Sequence, residues 1–278
     1  MTARPDSYII RQQVATALSE DIGRGDCTAA LVDKSATLET RVICRQHAVL
    51  AGSQWFDETF LQLEQGIRID WLLEDGGTMS PGQEICRLTG PAREILSGER
   101  TGLNFIQTLS STATLARRYV EAVEGTGAII LDTRKTLPGL RLAQKYAVRC
   151  GGARNHRIGL FDAILIKENH IEAVGSIKDA IKRARNLYPE LLLEVEVENL
   201  VQLEEVCAAG ADRALLDNFT VEALRAAVSM HSGQIDLEAS GGVSLYSVRE
   251  IAETGVGYIS CGDLTKNVEA VDFSMRYS

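Results

Sequence analysis

An arginine and a lysine stand side by side where an apolar run ends. Ile129-Ile130-Leu131 gives way abruptly to Asp132-Thr133-Arg134-Lys135, and a second run, Ala163 to Ile166, stops as sharply in Lys167-Glu168-Asn169-His170. The stretch from Ile129 to His170 holds Arg134, Lys135, Arg141, Lys145, Arg149, Arg154, Arg157 and Lys167 against Asp132, Asp162 and Glu168. That is a local excess of five positive charges in a chain of formal net charge −9. An arginine fork beside a lysine point charge suits a carboxylate or a phosphate, so an anionic ligand is expected here. Gly151-Gly152 precede Arg154-Asn155-His156-Arg157 and are expected to let the backbone bend towards that ligand. A histidine flanked by cations titrates low, which makes His156 a neutral hydrogen-bond partner. Lys167 ends a buried strand, and its position alone is open to an electrostatic role or to Schiff-base chemistry.

Carboxylates follow downstream. Glu194, Glu196 and Glu198 alternate with valines and so point to one side of a strand. Three uncompensated carboxylates cannot share an interior, so cationic partners or a metal are expected nearby. With Asp217, Glu196 offers oxygen ligands suited to Mg²⁺ carried on a phosphorylated substrate. The spacing of His156 and His170 suggests no metal pair. Ser240-Gly241-Gly242 and Ser260-Cys261-Gly262 each end a run and precede a helix, where backbone N–H groups could cradle a phosphate.

These residues need elements to position them. From Ile129 onward, strand candidates at Ile129–Leu131, Ala163–Ile166, Leu192–Val197, Ala214–Leu216, Ile235–Ala239 and Gly257–Ser260 alternate with helices at Ile177–Leu187, Leu200–Ala209, Val221–His231 and Leu245–Glu253. Leu140 to Cys150 is expected as a helix closing a βαβ unit, with Lys145 facing away from the strand ends. Polar residues recur at the carboxyl end of each strand, the way an α/β barrel builds its site. Six units are too few for a closed eight-fold barrel, so the fold expected is an incomplete, open parallel α/β barrel. The first hundred residues read differently, with short strands joined by turns and helices from Tyr8 to Glu20 and from Ser53, a candidate N-cap. An α+β sandwich on a largely antiparallel sheet is expected there. The helical pattern from Ala92 breaks around Ser110-Ser111-Thr112, which sets the expected domains at 1–112 and 113–267.

At 45% hydrophobic and 24% charged residues the chain has ordinary globular composition. Its acidic balance argues against general nucleic-acid or anionic-membrane binding. The first residues lack a signal-like apolar region and no run reaches transmembrane length. Six cysteines without any C-x-x-C pair are expected as reduced thiols, which fits a cytoplasmic protein.

LDTRKTLPGLR (131–141), GGARNHRIGLFDAILIKENH (151–170), EVEVENL (194–200), LDNF (216–219), EASGGV (238–243) and SGERTGLNF (97–105) resemble the quinolinate phosphoribosyltransferases, in order and over nearly the whole chain. Two departures are Ala153, where a third glycine is frequent, and Lys266-Asn267, where a histidine often stands. The resemblance implies an N-terminal sandwich completed by the tail 268–278, an open barrel, and a homodimer or larger assembly. It implies quinolinate and phosphoribosyl pyrophosphate as substrates, Mg²⁺ with the latter, and no organic cofactor. It places Arg134, Lys135, His156 and Arg157, with Arg100 of a neighbouring subunit, on the ring carboxylates, and Thr133 beside them. Lys167, Ser240, Gly241, Gly242, Ser260 and Gly262 fall on the phosphates, and Glu196 and Asp217 on the ribose or the metal. Lys135, Glu196 and Asp217 are the expected catalytic groups. A same-fold paralogue linked to molybdenum transport, a Schiff-base lyase using Lys135 or Lys167, and a non-catalytic anion-binding module are the alternatives.

Overall fold

A computed structural model describes residues 5–231 and 233–277, so the outermost positions of the expected domain ranges, 1–4 and 278, lie outside the described residues. The chain forms two compact units, one of Met1–Arg117, Thr136–Gly152 and Asn267–Ser278, the other of Arg118–Lys135 and Ala153–Lys266.

In the first unit, α1 (Ser7–Ile22) leads to β1 (Thr37–Cys44), β2 (Ala48–Val49), α2 (Ser53–Leu63), β3 (Arg68–Trp71), β4 (Thr78–Met79), β5 (Glu84–Pro91) and α3 (Ala92–Ala122). A four-stranded antiparallel sheet has the order β12-β1-β5-β3, its edge strand β12 (Phe273–Tyr277) coming from the C-terminal tail. Period-2 alternation sets its inner face: Val42 and Cys44 are buried while Arg41 is exposed. Val42 pairs with Cys86 on one side and Met275 on the other. That row joins Phe56, Phe60, Ile95 and Leu103 in one core.

Four expectations for this unit are corrected. Ser53 is the first helical residue and Gly52 the cap, because the Asp75 carboxylate accepts the N–H groups of both Gly52 (3.0 Å) and Ser53 (3.2 Å). The helix α3 runs unbroken through Ser110-Ser111-Thr112. Its polar residues are tertiary acceptors: Ser110 Oγ takes the Ala51 N–H at 3.0 Å, and Thr114 Oγ1 the Val49 N–H at 2.8 Å. The helix α4 (Arg141–Cys150) does not close a βαβ unit. It buries Ala143, Tyr146 and Ala147 against Ile10, Val14 and Trp55 in a second core of the first unit. Lys145 on it is only 2% exposed. Gly151 serves this packing, not a ligand, since a Cβ there would lie 2.4 Å from the Ala113 carbonyl oxygen.

The second unit holds six parallel strands: β6 (Ile129–Leu131), β7 (Ile164–Ile166), β8 (Leu193–Val197), β9 (Arg213–Asp217), β10 (Asp236–Ser240) and β11 (Tyr258–Ser260). Their order is β6-β11-β10-β9-β8-β7, an open barrel whose edge strands β6 and β7 are not paired to each other among the described residues. After β7 come α5 (Glu168–Val174) and α6 (Ile177–Leu187), then α7 (Leu200–Ala209), α8 (Val221–His231), α9 (Val248–Ala252) and α10 (Asp263–Lys266) in turn. Val195, Val197, Ala214 and Leu216 have no exposed surface, as expected of strands covered on both faces. Polar residues recur at the carboxyl ends of the strands, so all six present them at one end.

Candidate active site

A cavity of about 670 Å³ opens at those strand ends, within the second unit. It is lined by Thr133, Arg134 and Lys135 after β6, Lys167 after β7, Glu196 on β8, Asp217 on β9, Ser240-Gly241-Gly242 at β10, and Ser260 and Gly262 at β11, with His156 and Arg157 from the loop before β7. Thirteen of the fourteen substrate-contacting residues expected from the sequence are therefore together. The fourteenth, Arg100, is exposed on α3 in the first unit and has no ion-pair partner among the described residues.

Local bonds explain how the cations are held. Residues 153–155 run beside β6, with the Arg154 N–H on the Ile130 carbonyl at 2.9 Å and the Asp132 N–H on the Arg154 carbonyl at 3.1 Å. The buried Asp132 carboxylate then accepts the His156 N–H (2.9 Å) and Asn155 Nδ2 (2.7 Å). These bonds seat Arg157 beside Arg134. Burial lowers the Arg157 pKa first, and the neighbouring Arg134 charge lowers it further. Arg134 Nε is buried without a hydrogen-bond partner. Two guanidinium groups that repel each other, one with an unmet donor, form a site suited to an anion. Of the eight cations of the basic stretch, only Arg134, Lys135, Arg157 and Lys167 line the cavity. Arg141, Lys145 and Arg149 went to the first unit with α4, and Arg154 is exposed outside the cavity lining.

The glutamates separate by depth. Glu198 lies past the strand and is exposed, Glu196 is half-buried at the mouth, and Glu194 is fully buried one pleat further in. Lys167 Nζ forms an ion pair with Glu196. Burial raises the Asp217 pKa, and the nearby Glu196 charge raises it further, against Lys167 and Lys135. Glu196 and Asp217, on adjacent strands, thus offer hard oxygen donors to one place, the chemistry Mg²⁺ selects.

Beneath them sits a group the sequence reading missed. Glu194 Oε2 lies 2.8 Å from His156 Nε2 and Glu238 Oε1 lies 3.6 Å from it, while Arg213 Nη1 reaches Glu238 Oε2 at 3.3 Å. Burial, then the Glu194 charge, pushes Glu238 up to about 7. His156 Nδ1 accepts the Arg157 N–H at 2.7 Å, which leaves the ring proton on Nε2, facing Glu194. Burial disfavours a charged ring, but the hydrogen bond to Glu194 and the charges of Glu238 and Glu194 outweigh it. The His156 pKa therefore lies above its ordinary value, contrary to the expectation drawn from its cationic sequence neighbours. The ring atom and one oxygen from each carboxylate lie within 4.8 Å of one another, a spacing a metal could span. Arg213 and the Nε2 proton already supply positive charge there, so the donor set favours the hydrogen-bonded cluster over a cation. Period 2 was the overlooked signal: Glu238 stands two residues before Ser240, and Arg213 four before Asp217, on the same faces.

One further expectation changes. Ser240-Gly241-Gly242 does not lead straight into a helix, since α9 begins only at Val248. Any phosphate contact there belongs to loop N–H groups. His170 Nδ1 accepts the Lys167 N–H at 3.0 Å, a helix-capping contact.

Residues 26–110 match the family model for the quinolinate phosphoribosyl transferase N-terminal domain, and residues 112–276 match that for its C-terminal domain. The chain is similar to a probable carboxylating nicotinate-nucleotide pyrophosphorylase of Bacillus subtilis, 42% identical across 92% of this chain and 89% of that one. It is 41% identical to the carboxylating nicotinate-nucleotide pyrophosphorylase of Mycobacterium leprae, across 95% and 96% of the two chains. A solved nicotinate-nucleotide pyrophosphorylase from Francisella tularensis superposes with a TM-score of 0.96 at 44% identity, covering 100% of this chain and 99% of that one.

Proposed function

The chain belongs to the quinolinate phosphoribosyl transferase family, and from that premise we propose how its strand-end site divides the work of the reaction. It transfers the phosphoribosyl group of phosphoribosyl pyrophosphate to quinolinate, giving nicotinate mononucleotide, pyrophosphate and CO₂ in NAD biosynthesis. Arg134 and Arg157, with His156, Lys135 and Thr133, hold the two ring carboxylates. The single observation that carries this assignment is the pair of adjacent guanidiniums with a buried, unpartnered Nε. Lys167, Ser240-Gly241-Gly242, Ser260 and Gly262 take the phosphates, and Glu196 and Asp217 face the ribose. Their carboxylates stabilise positive charge growing at ribose C1 as its bond to pyrophosphate breaks. The ring nitrogen supplies the electron pair for the new bond to C1, and pyrophosphate leaves with the old one. The resulting pyridinium accepts the electrons of the ring–carboxylate bond at C2, CO₂ departs, and C2 takes a proton from solvent.

The hard-oxygen pair of Glu196 and Asp217 fits Mg²⁺, which when bound neutralises charge on the pyrophosphate. The working assembly in this reading is a homodimer in which Arg100 completes the partner's site. An exposed arginine without an ion-pair partner among the described residues supports it. A cytoplasmic location agrees with six free cysteines and with the lack, among the described residues, of any helix long and apolar enough to cross a membrane.

Discrimination between quinolinate and nicotinate tests the carboxylate clamp. A missing carboxylate leaves a cation unpaired, so kcat/KM for nicotinate should be lower by at least roughly tenfold. Comparable values for the two acids would refute the clamp.

A further inference from the structure

Asn218 is the one non-glycine residue among the described residues with a positive φ, +56°. Asparagine tolerates this left-handed region better than most residues, and a strained backbone beside a cavity invites a functional account. The residue follows Asp217 directly and lines the cavity. Its Nδ2 donates to Asp217 Oδ2 at 2.8 Å, and its backbone N–H donates to the Ser240 carbonyl at 2.9 Å, extending the β9–β10 ladder past the Asp217–Ser240 pair. Its amide also lies against Gly241. A Cβ on Gly241 would sit 2.1 Å from Asn218 Oδ1, 2.7 Å from its Cγ and 2.9 Å from its backbone nitrogen. Gly241 itself has φ +97°. A single residue thus touches the Asp217 carboxylate with its donor and the glycine loop with its other face.

We infer that Asn218 is a positioning residue: it fixes the orientation of the Asp217 carboxylate and sets the bend of Ser240-Gly241 against it. The two groups it ties together, a carboxylate and a loop of backbone N–H groups, stand at neighbouring strand ends. Their mutual spacing is what a phosphoribosyl substrate would read. The left-handed turn lets the side chain fold back onto its own strand end, which an extended residue could not do. The inference rests on the proposed placement of Asp217 at the ribose.

The test separates positioning from fold maintenance. Asn218→Gly accepts the positive φ without strain but deletes the donor, and Asn218→Asp keeps the shape while replacing the donor with a second carboxylate. Melting temperature, kcat and the quinolinate KM are measured for both, alone and combined with Asp217→Asn. For Asn218→Gly the melting temperature should hold or rise, the quinolinate KM should stay within about twofold, and kcat should fall at least about tenfold, the loss of one hydrogen bond to a charged group. Asn218→Asp should fall further, and in the Asp217→Asn background Asn218→Gly should add little. If Asn218→Gly fails to fold, Asn218→Asp decides. Retained kcat in the folded variants, a loss that follows the melting temperature, or additive losses in the double variant would each overturn the inference. If Asp217→Asn itself kept full activity, the ribose-side reading would have failed, and the inference with it.

Discussion

Replacing Arg134 by methionine should make the free protein no less stable while disabling it. The methionine keeps the apolar stem in place and removes only the guanidinium. Arg134 Nε is buried without a partner, and its charge depresses Arg157 beside it. An unmet buried donor costs about 1–3 kcal/mol, part of which the substitution returns. At roughly 2–4 °C per kcal/mol, the melting temperature should hold or rise by a few degrees. Quinolinate binding should suffer in the opposite direction. A hydrogen bond to a charged partner contributes about 1.5–3 kcal/mol, so the dissociation constant should rise roughly 10- to 150-fold. Calorimetric titration with quinolinate alone, paired with a thermal melt of the same sample, reads both quantities. A melting temperature lowered by several degrees with affinity intact would show that Arg134 is a structural residue and refute the poised-anion-site reasoning.

Other outcomes follow from the same geometry. Arg100→Ala and Lys135→Ala, each inactive, should regain roughly a quarter of sites when denatured together and reassorted, because mixed dimers contain one intact site; a dead mixture with proven subunit exchange would rule out a shared site. Glu196→Gln or Asp217→Ala should lower kcat more than it raises the quinolinate KM, and a defect confined to quinolinate affinity would move them to the other substrate. Burial raises Asp57 to about 6 despite its bond from Trp71 Nε1 at 2.7 Å. An acid raised on folding loses stability as pH climbs from its unfolded towards its folded pKa. Asp57→Asn should therefore stabilise the protein by about 1–3 kcal/mol at pH 7, an advantage absent near pH 3.5. Equal gains at both pH values would place its cause elsewhere.

The barrel strands were legible because buried parallel strands are short apolar runs with polar ends, and Ile129–Leu131 and Ile164–Ile166 show that pattern without interruption. Lys167, Asp217 and Ser260 were legible for the same reason, each being the first polar residue after such a run. The destination of α4 was not legible. Its apolar face, Ala143, Tyr146 and Ala147, has helical periodicity that says it must be buried but not against what. The helix therefore left the barrel for the first unit and took three cations of the basic stretch with it. The unbroken α3 was hidden because Ser110-Ser111-Thr112 read as a helix break in sequence, whereas Ser110 acts as an acceptor for the Ala51 backbone in space. The deep cluster of Glu194, Glu238, His156 and Arg213 needed the strand order, since residues from three strands and a loop meet there only once β8, β9 and β10 are neighbours.

The central claim is a decarboxylating phosphoribosyl transfer, and release of CO₂ from quinolinate labelled at the 2-carboxylate measures it most directly. Labelled CO₂ should appear only when phosphoribosyl pyrophosphate and Mg²⁺ are both present, mole for mole with nicotinate mononucleotide. Release from quinolinate without phosphoribosyl pyrophosphate, or nucleotide formed with the label retained, would contradict the account.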